Sequence, residues 1–345
     1  VTALLVVLGL VVLLVAAILL SQGRVLSWAV ARLPQRAALA LGAGLGDLIR
    51  ALGIRREVAR ANLARAFPEK DEASREAILR GFYRHLGTLI VEFLRAPMLP
   101  PEHADRLVEV EGYERFEDAF AEGKGAIIAT AHFGNFELLG SFFARKGQPI
   151  TAITKVLSRN FLNAFWLDQR RRGGLREVPD SGSIRDILGV LRRKEILAVM
   201  IDQNMIPRRA IFAPFFGTLA ATSPGPAVFA ERTGAPVFLV LMHRLPGGRH
   251  RVVVEGPIPF DRTGDRDADV LAFTARLNLA LEAQVRAEPE SWYWVHRRWK
   301  TRPLDEAASR ADLPFDGAPN GAPNDAAPGA EGATGGAAPE ADRSV

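Results

Sequence analysis

Between residues 105 and 300 the chain alternates two kinds of apolar segment, and this alternation restricts the fold more than any other feature. Short, mainly apolar runs stand at 125–130, 149–154, 196–201, 236–242 and 251–255. Segments with helical apolar spacing lie between or after them, at 136–145, 183–193, 223–233 and 267–287. The first kind suits buried strands and the second suits helices with one apolar face. Such alternation predicts an α/β domain with a mostly parallel central sheet flanked by helices. One late pair should be antiparallel, because His243 and Arg251 flank a turn over Pro246-Gly-Gly. With 48% hydrophobic residues in 345, the chain can bury one large core or two modest ones.

The N-terminal third reads differently. From Val1 to Leu20 no residue is charged, and about 20 apolar residues are enough to cross a bilayer as a helix. A cleaved signal peptide would carry a basic start, a shorter apolar core and a small-residue cleavage site, so a retained N-terminal transmembrane helix is the expectation. Arg24, Arg32 and Arg36 follow it, which places the body in the cytoplasm. Residues 25–53 have helical spacing that fits either an amphipathic segment at the membrane interface or an ordinary core helix. Helical pattern continues over 56–97, broken at Pro68. Residues 304–345 are rich in Ala, Pro, Gly and Asp without periodicity, the composition of a disordered tail. Four parts result: an anchor over 1–23, a helical membrane-proximal segment over 24–104, an α/β domain over 105–303, and the tail.

Charge is distributed unevenly. The tail from 303 holds eight acidic and two basic residues, net −6, so the +5 of the whole chain leaves +11 on residues 1–302. A basic body suits an anionic membrane or an acidic protein partner. Nucleic acid has no support, since no zinc-finger, RNP-like or helix-turn-helix signature is present. The absence of cysteine excludes a disulfide scaffold and a thiol nucleophile. Six histidines without metal-ligand spacing lead to an expectation of no metal and no cofactor.

The chemistry concentrates at Ala131-His-Phe-Gly-Asn-Phe-Glu137, between the run ending at Thr130 and the helix starting near 136. In an α/β sheet this is a strand's carboxyl end, where active sites form. His132 is a candidate general base, and Glu137 the carboxylate to orient it. Gly134 permits the turn, and Asn135 is a plausible helix cap beside an anion site. Further candidates for substrate binding are Lys155, the run Arg170-Arg-Arg172, and Asp202-Gln203 at the end of the strand 196–201. Charge runs such as Arg192-Arg-Lys194 are as easily solvated faces. Phe215-Phe216 suits core or pocket wall. Trp292, Trp294 and Trp299 suit packing or interface anchoring, and His296 a structural role.

Taken in order, these segments resemble the late acyltransferases of lipid A biosynthesis, within the lysophospholipid acyltransferase-like superfamily. The resemblance rests on His132-Phe-Gly-Asn-Phe-Glu137, Asp202-Gln203, Phe215-Phe-Gly217, Arg232-Thr-Gly-Ala-Pro-Val237 and Trp294-Val-His-Arg-Arg-Trp-Lys-Thr-Arg-Pro303. Arg60-Ala-Asn-Leu-Ala-Arg-Ala-Phe-Pro-Glu69 adds to it. It implies a glycerolipid acyltransferase-like fold at the inner membrane, moving an acyl chain from an acyl-carrier-protein thioester to a hydroxyl of a lipid A precursor. His132 would be the general base, Glu137 its orienting partner, and an Arg before the Gly pair a supporting cation. Arg171 matches that place best, with Arg170 and Arg172 beside it. Without a cysteine or a Gly-x-Ser-x-Gly elbow, direct transfer is simpler than a covalent acyl-enzyme. Alternatives are a same-fold enzyme using acyl-CoA and another glycolipid, and an inactive lipid-binding membrane protein.

Overall fold

The computed structural model describes residues 23–100, 102, 106–155 and 161–303. The expected anchor, apart from Gly23, and the expected tail lie outside these residues. In chain order the strands are β1 (Val108–Glu111), β2 (Ala126–Thr130), β3 (Ile150–Thr154), β4 (Arg176–Pro179), β5 (Ile196–Met200), β6 (Ile211–Phe215), β7 (Thr218–Thr222), β8 (Val237–Leu245) and β9 (Arg249–Glu255). The described helices are α1 (Arg24–Ala31), α2 (Gln35–Ala51), α3 (Arg56–Ala66), α4 (Glu72–Arg95), α5 (Tyr113–Ala121), α6 (Phe136–Arg145), α7 (Phe161–Arg172), α8 (Ile184–Arg192), α9 (Gly225–Thr233) and α10 (Arg266–Ala287).

Seven strands make the main sheet in the order β1-β9-β8-β2-β5-β3-β4, and β6 and β7 form a separate two-stranded hairpin. β8, β2, β5, β3 and β4 run parallel. β9 returns antiparallel to β8 across the expected Pro246 turn, and β1 follows β9 in parallel. The mostly parallel α/β sheet is therefore present, with one edge reversed.

Strand residues sort by alternation onto two apolar faces, as the period of two requires. Ile127, Ala129, Leu197, Val199 and Leu239 pack with Leu191 of α8, Phe229 of α9 and Phe273 of α10. On the opposite face Ile128, Ile150, Ile196 and Val240 meet Phe116 of α5 and Leu139, Phe142 and Phe143 of α6. The sequence pattern misses β1, β4, α5, α7 and the β6–β7 hairpin. β1 (Val-Glu-Val-Glu) and β4 (Arg-Glu-Val-Pro) are polar strands at the two sheet edges. In α7 the apolar Ala164, Phe165, Trp166 and Leu167 are consecutive, so at about 100° per residue they form no single stripe.

Of the helices before residue 105, α3 and α4 share the main core, while Val30 of α1 and Ala38 of α2 pack with Val91 of α4 in a small separate cluster. Leu63 of α3 and Leu79, Phe82 and Tyr83 of α4 pack in the same cluster as Trp292, Trp294 and Trp299. α2 crosses α4 closely because small residues face each other: a Cβ on Gly46 would stand 2.0 Å from the Tyr83 carbonyl oxygen. Its other side is open, and Trp28, Leu41, Leu48, Leu52 and Ile54 are all exposed on α1, α2 and the turn after it. Residues 25–53 thus combine a packed face with an outward apolar one. Among the described residues no single helix is long and apolar enough to cross a membrane. α2 and α3 pass that test only together, with a 95° bend between them.

Candidate active site

The register of two neighbouring strands builds the site. β2 and β5 are parallel, with Thr130 opposite Met200, so both chains leave the sheet at the same edge. Two residues further on, His132 and Asp202 meet. Asp202 Oδ1 lies 2.9 Å from His132 Nδ1. Its Oδ2 accepts from the His132 backbone N–H at 2.9 Å and from the Trp292 indole N–H at 3.0 Å. A carboxylate there fixes the proton on Nδ1 and makes Nε2 the accepting nitrogen. The Gln203 side-chain amide stands 3.2 Å from Nε2.

Electrostatics follow from this geometry. Burial opposes the charge on His132, but the adjoining Asp202 carboxylate outweighs it and raises the imidazole pKa above 6.5. Burial likewise opposes ionisation of Asp202, yet His132, reinforced by buried Arg298, keeps its pKa below 3.8. Each group favours the charged form of the other.

The carboxylate in contact with the His132 ring is Asp202, whereas Glu137, expected to orient it, pairs with Arg170. The His-x4-Glu spacing places Glu137 in the first turn of α6, facing α7. There Arg170 donates to both Glu137 oxygens, Nε to Oε2 at 2.9 Å and Nη2 to Oε1 at 2.8 Å. Trp166, one turn earlier on α7, donates to Oε1 at 2.8 Å. Arg170 also reaches Glu177 at 3.1 Å. Burial works against the guanidinium charge, but the two carboxylates raise its pKa above the ordinary value. The arginine beside the site is therefore Arg170 rather than Arg171, which is exposed and donates to the Leu167 carbonyl. Helical geometry explains the difference. Positions 166 and 170 share a face of α7, and 171 is rotated about 100° away.

A cavity of about 310 Å³ opens at this point, between the sheet face of β2, β5 and β3 and the helices α6 and α7. His132, Glu137, Arg170 and Gln203 line its polar part, and Ile128, Leu139, Ile150, Ala198 and Leu175 line its apolar part. Lys155 borders it and is exposed. Asn135 does not. It is fully buried, caps α6 by accepting from the Leu138 N–H at 3.3 Å, and donates to Glu92 at 2.6 Å. The expected cap is present, but the side chain is turned into the protein, away from any substrate. Asp202 is also covered and touches His132 rather than the cavity. Of the five expected binding residues, Gln203 and Lys155 border the cavity.

The loop carrying His132 is pinned from behind. His85 on α4 donates from Nε2 to the Gly134 carbonyl at 3.0 Å and accepts from Arg244 Nε at 3.2 Å. Arg244 in turn pairs with Glu92. Burial pushes the His85 pKa down to about 4, so the ring is neutral. Despite burial, Arg244 and His250 hold Glu92 ionised, with a pKa of about 2. On the other side His296 Nε2 accepts from the Asn204 N–H at 2.9 Å, a structural role as expected. The three tryptophans are buried packing residues, with Trp292 also holding Asp202. Phe215 and Phe216 belong to the core and do not line the cavity. The participation of Trp166, Glu92 and Arg244 escapes sequence reading. Only the i, i+4 pairing of Trp166 with Arg170 leaves a local trace.

A histidine held by a carboxylate opens on an apolar cavity at the carboxyl edge of a parallel sheet, an arrangement suited to general-base chemistry on a substrate with an apolar tail. The chain belongs to the bacterial lipid A biosynthesis acyltransferase family, which it matches over residues 12–301. It is thus an O-acyltransferase of lipid A biosynthesis. Among similar proteins, the lipid A biosynthesis palmitoleoyltransferase of Escherichia coli K12 is 28% identical over 285 residues, covering 81% of this chain and 90% of that one. The lauroyltransferase of the same organism is 28% identical over 278 residues, with 80% and 89% covered. Its myristoyltransferase is 26% identical over 241 residues, with 70% and 74% covered.

Proposed function

We propose that this protein acts at the inner membrane, moving a fatty acyl chain from an acyl-carrier-protein thioester to a hydroxyl of a lipid A precursor. The observation that carries this reading is the position of His132, whose accepting Nε2 stands beside the Gln203 amide at the head of an apolar cavity. An alcohol is far too weak an acid to attack unaided near neutral pH. Nε2 would take its proton as the oxygen attacks the thioester carbonyl. The imidazolium that forms is stabilised by Asp202, as the orienting carboxylate of a catalytic triad does. Collapse of the tetrahedral intermediate breaks the C–S bond, and the imidazolium returns the proton to the departing thiolate. The oxyanion needs a preorganised donor, and the Gln203 amide and Arg170 are the nearest candidates at the cavity.

Glu137 contributes through Arg170 in this scheme. Its carboxylate holds the guanidinium against the cavity wall, where a fixed cation serves oxyanion or phosphate. The basic body, +11 over residues 1–302, suits an acidic carrier protein as donor by electrostatic steering.

Purified protein in detergent, given acyl-carrier-protein or CoA thioesters and an under-acylated lipid A precursor, would be followed by mass spectrometry. The reading expects a product one acyl group heavier, formed faster from the carrier-protein donor. Faster transfer from CoA would overturn the donor assignment. Undiminished transfer by His132→Ala would overturn the mechanism.

A further inference from the structure

The cavity has a measurable depth, and three side chains end it. Strand register divides its sheet wall into layers. Thr130 lies beside Met200 at the level nearest His132; Ile128 and Ala152 both pair with Ala198 one layer down; Ile150 stands a layer deeper, paired with Ile196. Ala152 and Ala198 are partly accessible although they belong to interior strands, because they face the cavity. Below them the cavity meets buried Ile150, Leu139 and Leu175, which belong to the packed core on that face. Leu175 closes against α6 at Gly140, where an added Cβ would stand only 3.0 Å from its Cδ1.

From the Thr130 level to the Ile150 level is four residues, about 13 Å at about 3.3 Å per residue. Carbon–carbon bonds of about 1.5 Å, zigzagged at tetrahedral angles, advance about 1.25 Å per methylene. The layers therefore hold about ten methylenes, and the carboxyl end at His132 makes a chain of about twelve carbons.

Resting on the acyl-transfer reading above, we propose that this cavity selects chains of about twelve carbons by length. Ile150, Leu139 and Leu175 stop the chain, and the small side chains Ala152 and Ala198 keep the middle layer open. A leucine at 198 would fill that layer and exclude the one below it. A smaller residue at 175 would open the far end.

Two measurements separate this inference from the reading on which it rests. The first is binding of saturated fatty acids of about 4 to 18 carbons, below their micellar concentrations, by calorimetry on the purified protein. Affinity should rise about fourfold per methylene, the effect of burying about 0.8 kcal/mol each, and level off near 12 carbons. In Ala198→Leu the break should fall to about 7 carbons, one two-residue layer of about five methylenes shorter, and in Leu175→Ala it should move up by about two to four. The second is competition among acyl donors of the same lengths, where the preferred product chain should move with the binding break. A break that stays in place in both variants overturns the proposal, even if transfer proceeds. Failure of transfer with every donor would instead count against the acyl-transfer reading, leaving the length measurement to stand or fall on binding.

Discussion

At the scale of single residues the site is a pair of charged contacts side by side, His132 with Asp202 and Arg170 with Glu137, and each makes a separate demand. The proposed mechanism needs His132 neutral, and Asp202 holds its pKa above 6.5. Activity should therefore rise with pH through a midpoint above 6.5. Asp202→Asn removes the attraction while burial persists, so the surviving activity should have its midpoint displaced downward. Its rate should also fall by about 10²- to 10⁴-fold, since the tautomer and the imidazolium both lose support. The pH profile of kcat/KM checks both, and an unmoved midpoint would count against Asp202 as the orienting group. The second pair is buried, with side-chain exposure of 2% for Glu137 and 19% for Arg170. Arg170→Ala leaves that carboxylate uncompensated, which should destabilise the fold by about 3 kcal/mol and strongly reduce transfer. Arg171→Ala, on an exposed face, should change stability by less than about 0.5 kcal/mol. Thermal midpoints and rates for the two variants would distinguish this arrangement from a run of interchangeable solvated arginines.

At the scale of elements, the turn from β2 into α6 carries the strictest geometry. Gly134 has φ +55°, and a Cβ there would stand 1.7 Å from the Met242 carbonyl oxygen. Gly134→Ala should cost at least about 2 kcal/mol in backbone strain and displacement, and it should also misplace His132. A thermal melt and an activity assay on that variant test it; a normal enzyme would mean the turn has slack that the contact does not show. The same region shows what a sequence can disclose. The His132 motif is local, and so are its strand before, helix after, Asn135 cap and Gly134 turn, so all of these are legible from the residues alone. Which carboxylate meets His132 is not local. It depends on β5 pairing with β2, and Asp202 stands 70 positions away from the histidine it holds. Glu137 is the nearer carboxylate in sequence, but α6 turns it toward α7 instead. The buried network from Glu92 through Arg244 and His85 to the Gly134 carbonyl lies equally out of reach, being assembled from α4, β8 and the loop.

At the scale of the whole molecule, α1 packs by its buried side against α7, which walls the cavity, while α1 and α2 turn other, apolar residues outward. Gln169 of α7 donates to Ser27 of α1 at 2.7 Å, and the Phe165 ring lies against Gly23. Trp28, Leu41, Leu48, Leu52 and Ile54 are each at least 47% exposed, a set that water disfavours and a bilayer interface accepts. Arg24, Arg32, Arg36 and Arg55 are exposed around them, and each basic residue near an anionic surface adds about 1 kcal/mol of attraction. A chain restricted to residues 23–303 should therefore still bind vesicles without the apolar run that precedes it. Anionic vesicles should be favoured at low salt. Raised salt should weaken the attraction to phosphates, while the buried Trp and Leu side chains, at about 1.5–3 kcal/mol each, should retain part of the binding. Leu48→Glu with Leu52→Glu should abolish that salt-resistant part, and acyl transfer to a detergent-dispersed acceptor should persist because His132 and Asp202 belong to the sheet edge. Flotation on anionic and neutral vesicles, with and without salt, measures this directly. If the doubly substituted protein floats as well as the parent, the α1–α2 face does not meet the membrane, and a lipid acceptor must reach His132 from another side.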